Sequence, residues 1–575
     1  MSLPLHHCRS ALFWPILLSK AYFSIPSATP CIVYRDDTGA WQVGALLCVQ
    51  WVYPYKLKPS STETATLNTL NSAILSDNTG DNNKVMPADI LATFWHWLSG
   101  NSTSIAALFA ATFMVLGVLS ALEAILKSRT AQGAVAWAIV LLGLPWVFVP
   151  LYWIFGRRKF RGYALAKNSD HSEIDKIAAK LAAELTHFPT NSSHDPRFIA
   201  LEKLATLPFS CGNEAHLLIN GEQAFAEILS RIAAAKHYVL LEFYTIRDDN
   251  IGGKLADLLL AKVQEGVAVY CIYDEIGSLQ LPGSYLRKLR NGGVDIRPFN
   301  TTKGLGNRLQ LNFRNHRKIV VCDGNYCLIG GMNIGDEYQH MHPVLTPWRD
   351  TGLALTGPAV QAVQLAFAED WLWATESLPE LNWQLRASTT TEPQINTLIL
   401  STGPADNTES CALYFLNMIN HATSRLWIVS PYFVPDAPVI QALQLAAMRG
   451  VDVRIMLPAK PDKIMIQLSS YTAIKETLAR GVQFYYYQDG FLHEKVMLVD
   501  DDISVVGTAN LDNRSFRLNF EIGVINHDRQ FAKKMEAMLI TDLQHCVQLL
   551  PREVAKWSLR RRLLSRCAYL FAPLQ

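Results

Sequence analysis

Two copies of one short motif, His-x-Lys, are the residues of this chain best suited to chemistry. They place His316 with Lys318 and His493 with Lys495, each within a run of strand-forming residues. Because successive side chains of a strand alternate between its faces, residues i and i+2 share one face. Each histidine is therefore expected to project beside its own lysine. One such pair is a weak signal, but two in equivalent surroundings indicate a duplicated site.

The residues that follow the two pairs also repeat. Seven positions after each histidine comes an aspartate, Asp323 or Asp500, and seventeen positions after it an asparagine, Asn333 or Asn510. The aspartates lie at an odd offset and at the ends of apolar runs, and Asp323 begins an Asp-Gly turn dipeptide. Strand alternation thus predicts that the aspartates form turns rather than react. After each turn the chain returns, so each asparagine is predicted to lie beside its own His-Lys pair.

Two imidazoles and two ammonium groups suit reaction at a phosphodiester, whose permanent negative charge repels nucleophiles. The lysines and the asparagine amides would neutralise the phosphoryl oxygens as charge builds in the transition state. One neutral imidazole would attack phosphorus and form a phosphohistidine. The other, protonated, would donate to the departing alkoxide and then deprotonate the incoming hydroxyl. One site must then be assembled from both copies. The lysines supply the positive charge, so no metal and no cofactor is expected, and His-x-Lys offers zinc only one good ligand per motif.

Strands alternate with helices from about residue 215 onwards. A strand, a helix and a second strand over 237–273 recur in the same order over 425–457. Such alternation predicts α/β units on a sheet that is at least partly parallel. The repeated order predicts an internal duplication, with one His-Lys pair in each copy.

Two long apolar stretches precede these units. Ser104–Leu126 and Ala134–Phe155 are each long enough, at about 1.5 Å per residue, to cross a hydrocarbon core of roughly 30 Å. The short connection between them predicts a transmembrane hairpin with both ends on one side. Four basic residues within 157–161 then place the C-terminal body in the cytoplasm by the positive-inside rule. The connection carries Lys127 and Arg129, which makes this bias modest, and a pair of buried core helices is the alternative.

The first 90 residues show no clear periodicity. They mix short apolar runs with a Ser/Thr/Asn-rich stretch at 60–83, and the apolar run at 12–18 is too short to span a membrane. Residues 1–90 are predicted to be a poorly defined N-terminal extension, disordered or arising from a mis-assigned start, with Met86 as the hypothetical true start.

The overall composition suits a soluble body joined to a membrane segment. Half of the 575 residues are hydrophobic and 18% are charged. The formal net charge of +2 gives no extended field for a nucleic acid. The ten cysteines are dispersed without a CxxC pair, which favours a reducing compartment over a disulfide framework.

At the two His-x-Lys motifs the chain resembles the phospholipase D superfamily, and within it the bacterial cardiolipin synthases. The likeness runs from about Ile105 to the C-terminus and does not cover residues 1–90. It is carried by long segments in both halves of the chain: FGRRKFRGY (155–163), LEFYTI (241–246), RNHRKIVV (314–321), GGMNIGDEY (330–338), PWRDT (347–351), SPYFVP (430–435) and GTANLDNRSFRLNFE (507–521).

The resemblance implies transfer of a phosphatidyl group from one phosphatidylglycerol to another, giving cardiolipin and releasing glycerol. It implies His316 as the nucleophile and His493 as the acid/base, with pseudosymmetry leaving the two roles open. It places Asp323 and Asp500 in the catalytic set by resemblance only. The side chains expected to hold the phosphoryl oxygens are Lys318, Lys495, Asn333 and Asn510.

Acidic residues are expected to orient the imidazoles through their second ring nitrogen. Glu521 is predicted to orient His493. For His316 the predicted partner is Asp350 or Glu337, and a solvated or ion-paired surface position is the alternative for both.

The fold implied by the resemblance is α/β. Two pseudo-symmetric phospholipase D-like α/β/α domains, at 215–390 and 395–575, are expected to pack around one active site, after a two-helix transmembrane hairpin at 104–126 and 134–155. The second domain ends in a basic amphipathic tail, 557–571, which suits an anionic membrane surface, with docking onto the protein's own core as the alternative. The expected setting is the bacterial inner membrane, as a multi-pass protein with cytoplasmic catalytic domains.

The expected partners are phosphatidylglycerol, other anionic phospholipids and the membrane, and not nucleic acid. A phospholipase D-type hydrolase, or a transphosphatidylase with another acceptor alcohol, is the first alternative, because water and a glycerol hydroxyl can use the same phosphohistidine. A membrane-tethered nuclease is disfavoured by the small net charge, and a catalytically dead scaffold by the completeness of both motifs. Acceptor preference and oligomeric state are left open by the sequence.

Overall fold

The chain separates into two units, Met1–Gly100 and Asn101–Gln575. In the first unit, strands β1 (Ile32–Arg35) and β2 (Trp41–Gly44) pair antiparallel. The rest of the extension predicted at 1–90 lies outside the described residues. The computed structural model describes residues 32–35, 41–44, 96, 100–156, 160, 162–163, 171–190, 192, 195–299, 312–389 and 394–575.

The apolar region at the start of the second unit is helical. Its elements are α1 (Ser102–Lys127), α2 (Ala131–Gly143), α3 (Pro145–Leu151) and a wide π turn at Tyr152–Gly156. Within the described ranges, α1 is the one helix that is both long and apolar enough to cross a membrane, with a mean hydropathy of 2.4. The second span, predicted at 134–155, is wrong as a single helix. Leu144 precedes Pro145, which disfavours helical conformation, and its φ of −139° and ψ of 65° end α2.

The rest of the second unit is an α/β body whose two halves each contribute a set of strands. The first half contains β3 (Ser210–Ile219), β4 (Tyr238–Phe243), β5 (Ala268–Tyr273), β6 (Asp295–Pro298), β7 (Arg314–Asn315), β8 (Ile319–Cys322), β9 (Tyr326–Gly330), β10 (Trp348–Arg349) and β11 (Thr351–Thr356). The second half contains β12 (Ile395–Thr402), β13 (Arg425–Val429), β14 (Phe433–Val434), β15 (Asp452–Pro458), β16 (Gln483–Tyr487), β17 (Phe491–Leu492), β18 (Val496–Val499), β19 (Ile503–Gly507), β20 (Leu511–Asp512), β21 (Asn519–His527) and β22 (Cys546–Leu549).

Helices connect these strands and cover the faces of the sheet. They are α4 (His171–Leu185), α5 (Ile199–Leu204), α6 (Asn220–Ala234), α7 (Asn250–Gln264), α8 (Gly283–Asn291), α9 (Val360–Thr375), α10 (Ser410–His421), α11 (Ala437–Met448), α12 (Ile464–Leu478), α13 (Asn513–Arg517), α14 (Arg529–Gln544), α15 (Pro551–Ala555) and α16 (Leu559–Tyr569), with 3-10 turns at Asp336–Gln339 and Ala572–Leu574. Covered on both faces, the strands of the two hairpins, β8, β9, β18 and β19, are buried at every position.

One continuous sheet joins the two halves at β3 and β12. Outward from this junction the first half runs β3-β11-β9-β8-β4-β5-β6, and the second runs β12-β21-β19-β18-β13-β15-β16-β22. The two orders match strand for strand up to β6 and β16, which confirms an α/β fold with an internal duplication. The sheet is mixed: β4-β5-β6 and β13-β15-β16 are parallel, whereas the hairpins β8-β9 and β18-β19 are antiparallel. The domain boundaries at 215–390 and 395–575 stay predictions.

Asp323 and Asp500 form the turns of the two hairpins, as strand alternation predicted. Both lie in the left-handed region, at φ 53° and 49°. Asp323 accepts hydrogen bonds from the backbone N–H groups of residues 236–238, and Asp500 from those of 423–425. Each follows its strand whereas the histidine precedes it, so the catalytic role implied by the resemblance is corrected: these aspartates tie the hairpins to the start of β4 and β13. Burial raises the pKa of Asp500, but these donors outweigh burial and hold the pKa below its usual value.

We therefore expect Asp500→Ala to damage stability and not chemistry. Loss of a carboxylate that accepts several backbone hydrogen bonds should cost roughly 2–4 kcal/mol of unfolding free energy, while turnover per folded molecule stays near that of the wild type. Thermal unfolding in detergent and turnover at a permissive temperature measure the two effects. Asp501→Ala is the matched control, because the Asp501 side chain is 77% exposed. Lost turnover with unchanged stability would return Asp500 to the catalytic set.

Candidate active site

Each His-x-Lys motif lies in a short extended segment between two strands that have different partners. Before the first motif, β7 pairs in parallel with β21 of the other half, and after it β8 pairs within its own half. Before the second motif, β17 pairs with β10 of the first half, and β18 stays within the second. His316 N donates to Phe520 O at 2.9 Å, and His493 N donates to Arg349 O at 2.7 Å. The two halves thus exchange short strands beside the histidines, which draws both motifs into one site.

The exchange gives each imidazole a carboxylate from the other half. Nδ1 of His316 lies 2.9 Å from Oε2 of Glu521, and Nδ1 of His493 lies 2.7 Å from Oδ2 of Asp350. Each Nδ1–H therefore donates to a carboxylate, which leaves the Nε2 lone pair of each ring available for chemistry. Both carboxylates are 1% exposed. The two acids occupy corresponding places in the two halves: Asp350 immediately precedes β11, and Glu521 lies in β21, the strand that corresponds to β11.

The predicted pairing of acids with imidazoles is corrected by this geometry. Glu521 orients His316 and not His493, and Asp350 orients His493 and not His316. The spacing along the chain misled the prediction because it does not reveal the exchanged strands. Glu337 forms an ion pair with Arg247 at 2.9 Å, so its predicted orienting role is wrong and the ion-paired alternative is confirmed.

The lysines lie on the same side as their histidines, as the spacing predicted. The ammonium groups of Lys318 and Lys495 each donate to the carbonyl oxygen of their own histidine. Both lysines are buried, at 1% and 4% exposure. The residue between each histidine and lysine points the other way: Arg317 pairs with Asp370 at 2.6 Å.

Burial lowers the pKa of the histidine and the lysine of each motif. The pKa of both His316 and His493 falls to about 4 even though each faces a carboxylate. The pKa of Lys318 falls to about 7 and that of Lys495 to about 8. In the free protein at neutral pH both imidazoles are therefore neutral, and the lysines titrate near neutrality.

Charges from the two halves act on one another. Burial is the largest influence on the pKa of His316; the Glu521 charge raises this pKa, and the positive charges of Lys318 and Lys495 lower it. Burial likewise dominates the pKa of Lys495, which the negative charges of Asp350 and Glu521 raise. Burial raises the pKa of Glu521, but His316 and Lys318 outweigh it and hold this pKa at about 2. Glu521 is thus ionised throughout the physiological range. The groups of both motifs form one electrostatic unit, as a site built from both copies requires.

The two asparagines differ in their surroundings. Asn333 accepts from Thr245 N at 3.0 Å and donates to Tyr338 Oη at 2.8 Å. The Tyr338 ring in turn lies 6.0 Å from the His493 ring. The Oδ1 of Asn510 is buried without a hydrogen-bond partner among the described residues. The contact of both amides with phosphoryl oxygens stays a prediction, and Asn333 has the additional task of positioning Tyr338.

Aromatic rings line the two imidazoles. The Tyr244 ring meets His316 edge-on at 5.2 Å, and the ammonium of Lys318 lies 5.4 Å from the same ring. Trp348 lies 5.4 Å from His493. These rings cover the apolar sides of the imidazoles and account for the burial that lowers their pKa.

Two buried arginine clusters lie behind the motifs, and sequence reasoning missed both. Arg317 donates to Asp370 in its own half and to Glu521 O in the other half, at 3.3 Å. Arg349 of the first half pairs with Glu494 at 2.9 Å and with Asp542 at 2.7 Å, both in the second half. The sequence did offer one sign of these clusters. The middle residue of each His-x-Lys motif, Arg317 or Glu494, is charged although strand alternation turns it toward the interior. Both arginines bridge the halves directly beside a residue of the site.

Comparison with known proteins agrees with this site. The family model described as "Cardiolipin synthase, PLD-like domain" matches residues 228–371 and 415–543, one segment in each half. Cardiolipin synthase A of Pseudomonas putida is 44% identical over 464 residues, which is 80% of this chain and 96% of that protein. Cardiolipin synthase A of Pseudomonas aeruginosa is 42% identical over 482 residues, 82% of this chain and 97% of that protein.

A solved structure shares the fold. The phosphatidylserine synthase of Haemophilus influenzae matches with a TM-score of 0.51 and 17% identity, covering 66% of this chain and all of that one. The fold and the paired motifs define a phospholipase D-like enzyme. The identity over most of the chain goes further: this protein belongs to the cardiolipin synthase family and is a phosphatidyltransferase.

We expect Glu521→Gln and Asp350→Asn each to lower kcat by roughly 10²-fold or more, because an amide no longer fixes the Nδ1–H tautomer or stabilises the imidazolium. Glu337→Gln is the matched control, since it removes a carboxylate that binds Arg247, and it should keep near-normal kcat. Initial rates over a range of surface lipid concentrations separate kcat from KM. Equal losses in all three variants would show that the carboxylates act only on stability.

The lowered lysine pKa values predict an unusual pH profile. The ammonium groups lose their protons as pH rises through about 7 to 8, so binding of a phosphate anion weakens with rising pH. We expect kcat/KM, which reports the free enzyme, to fall more steeply across this range than loss of the His493 proton alone would make it fall. The phosphodiester does not titrate here, so the substrate does not contribute. An alkaline limb that begins only near the ordinary lysine pKa of 10.5 would contradict the burial argument.

Proposed function

We propose that this site transfers a phosphatidyl group from one phosphatidylglycerol to a glycerol hydroxyl of a second, forming cardiolipin and free glycerol. The observation that carries the proposal is the pair of carboxylate-bound imidazoles, each with a buried lysine beside it. This set offers a nucleophile, an acid/base and two cations to a tetrahedral phosphorus. The names of the relatives agree with this product.

In the proposed first step, Nε2 of His316 attacks phosphorus and the bond from phosphorus to the headgroup glycerol oxygen breaks. His493, protonated on Nε2, donates that proton to the departing oxygen. In the second step His493 takes the proton of the acceptor hydroxyl, whose oxygen attacks phosphorus as the P–N bond to His316 breaks. Lys318 and Lys495 neutralise the phosphoryl oxygens in both steps. Water and the acceptor hydroxyl compete for the phosphatidyl group on His316. Exclusion of water from the site therefore decides whether the enzyme acts as a synthase or as a hydrolase.

The assignment of His316 as nucleophile is supported by how it is held. Both carboxylate oxygens of Glu521 lie within 3.1 Å of its Nδ1, and Glu521 is itself bound by Thr508 Oγ1 and Asn519 Nδ2. His493 instead shares its surroundings with Lys495, whose ammonium lies 3.0 Å from Nδ1. Both imidazoles are neutral in the free protein, so the acid must gain its proton with the substrate. An anionic phosphate near His493 raises its pKa and supports that protonation.

The proposed setting is the bacterial inner membrane with the catalytic body in the cytoplasm. The apolar helix α1 supports membrane attachment, and it keeps the body near its lipid substrate. The C-terminal tail supports the same orientation. Arg561 stacks on Trp557 and Tyr471 at 4.4 and 4.0 Å, which docks the tail on the body. Leu559 and Leu563 of the same helix stay 81% and 63% exposed, so one face suits an anionic lipid surface.

Purified protein in mixed micelles with ³²P-labelled phosphatidylglycerol tests the proposal. We expect labelled cardiolipin and an equal amount of glycerol, with His493→Asn trapping acid-labile label on His316 and His316→Asn trapping none. The label should form slowly in His493→Asn, because the first step lacks its acid, and it should then persist, because the second step lacks its base. Phosphatidic acid as the main product would contradict the synthase assignment. Label on His493 in the His316→Asn variant would reverse the two roles.

A further inference from the structure

The second apolar segment folds back on itself beside α1. Helix α2 runs antiparallel to α1, and Leu141 O and Pro145 Cβ lie 2.6 and 2.9 Å from where a Cβ on Gly117 would stand. If the chain continued in this direction, Trp153 would lie about 18 Å further along α1, at about 1.5 Å per residue. Instead its indole Nε1 donates to Ser120 Oγ at 3.2 Å. The chain has therefore reversed between Leu141 and Trp153.

Contacts between α2 and the residues after α3 agree with this reversal. The rings of Trp137 and Tyr152 are 5.2 Å apart and meet edge-on. Val149 and Tyr152 are buried in one cluster with Ala121 and Ala124 of α1. Residues 131–156 thus form a helical hairpin whose tip is at 144–146.

Both ends of this hairpin contact the catalytic body. Before α2, the Arg129 guanidinium pairs with Glu409 at 2.9 Å and with Asp436 at 3.0 Å. After the π turn, Phe160 N donates to Pro404 O at 3.3 Å. If 131–156 crossed a bilayer, these two contacts would lie on opposite sides of a hydrocarbon core roughly 30 Å thick. One body cannot make both.

The basic residues that flank the hairpin favour the same arrangement. A crossing segment would separate the two flanks, whereas a segment that returns keeps them together on the side that the positive-inside rule assigns to the cytoplasm. The basic residues are Lys127 and Arg129 before the hairpin, and Arg157, Arg158, Lys159 and Arg161 after it.

The tip of the hairpin is suited to lipid. Leu142, Leu144 and Trp146 are 46–51% exposed, and Ala134–Phe155 carries no charge. The reversal keeps backbone groups satisfied, since Leu144 N donates to Val140 O and Leu144 O accepts from Phe148 N. The 13 residues of α2 reach about 20 Å, which is less than the core thickness.

We propose that 131–156 is a re-entrant hairpin that enters the bilayer from the side of the catalytic body and returns to that side. Among the described helices α1 is then the one crossing, and Asn101 lies on the face opposite the body. The inference rests on the membrane setting of the proposed function. It replaces the predicted pair of crossing helices by a single crossing, α1, and a half-depth anchor whose two ends contact the catalytic body.

Cysteine accessibility tests this arrangement in the full chain. Three single-cysteine variants are made from a cysteine-free chain: Asn101→Cys, Ser128→Cys and one that restores the native Cys567. Cys567 is an exposed thiol of α16 and reports the side on which the body lies. Sealed membrane vesicles of known orientation are treated with a membrane-impermeant maleimide. We expect Ser128→Cys to label from the same side as Cys567, and Asn101→Cys only from the opposite side.

The competing arrangements give different patterns. If the hairpin has two spans, Asn101→Cys and Cys567 will be labelled from one side and Ser128→Cys from the other. If the chain does not cross, all three cysteines will be labelled from one side. Either result overturns the proposal. If the cysteine-free chain is inactive, epitopes inserted after Ser128 and at the C-terminus of the native-cysteine chain repeat the comparison. Cardiolipin synthesis is measured on every sample. Normal synthesis with a two-span pattern refutes the topology alone, and a wild-type chain that makes no cardiolipin refutes the proposed function alone.

Discussion

The structure depends on the exchange of two short strands between its halves. β7 leaves the first half to pair with β21, and β17 leaves the second half to pair with β10. Each pairing lasts two residues and ends at a histidine, so backbone hydrogen bonds fix the position of each imidazole relative to the carboxylate of the other half. The buried arginines Arg317 and Arg349 bind across the same boundary. Neither half holds a complete His–carboxylate pair of its own.

This arrangement explains how a duplicated fold provides two different protonation roles in one site. Each imidazole faces a carboxylate of the other half and lies beside a lysine, and burial lowers the pKa of each to about 4. Lys495 beside Nδ1 of His493 distinguishes the rings in the free protein. The substrate adds to this difference, because in the proposed in-line displacement one ring faces phosphorus and the other faces the leaving oxygen on the opposite side of phosphorus. The lysines contribute to the same end. Their pKa values near neutrality mean that they gain charge together with the anion rather than repelling each other in the empty site.

Much of the chemistry could be predicted from the residues, and most of the geometry that pairs them could not. Strand alternation put His316 beside Lys318 and moved Asp323 into a turn, since both follow from local periodicity. The partner of His316 depends on a strand exchange between segments more than 200 residues apart, and no local pattern encodes that. The same limit applies to the apolar region. Length and composition of 134–155 suit a span, but the helix ends before Pro145 and the chain turns back, which brings Trp153 to Ser120. The ion pairs of Arg129 hold the start of this segment against the body.

Double-mutant cycles on thermal stability test the crossed pairing most directly, because they need no activity. The cycles combine His316→Asn or His493→Asn with Glu521→Gln or Asp350→Asn in the full chain. The exchange predicts a coupling of about 1 kcal/mol or more for His316 with Glu521 and for His493 with Asp350. It predicts near-additive effects for His316 with Asp350 and for His493 with Glu521. Strong coupling within each half and none across the halves would contradict the account.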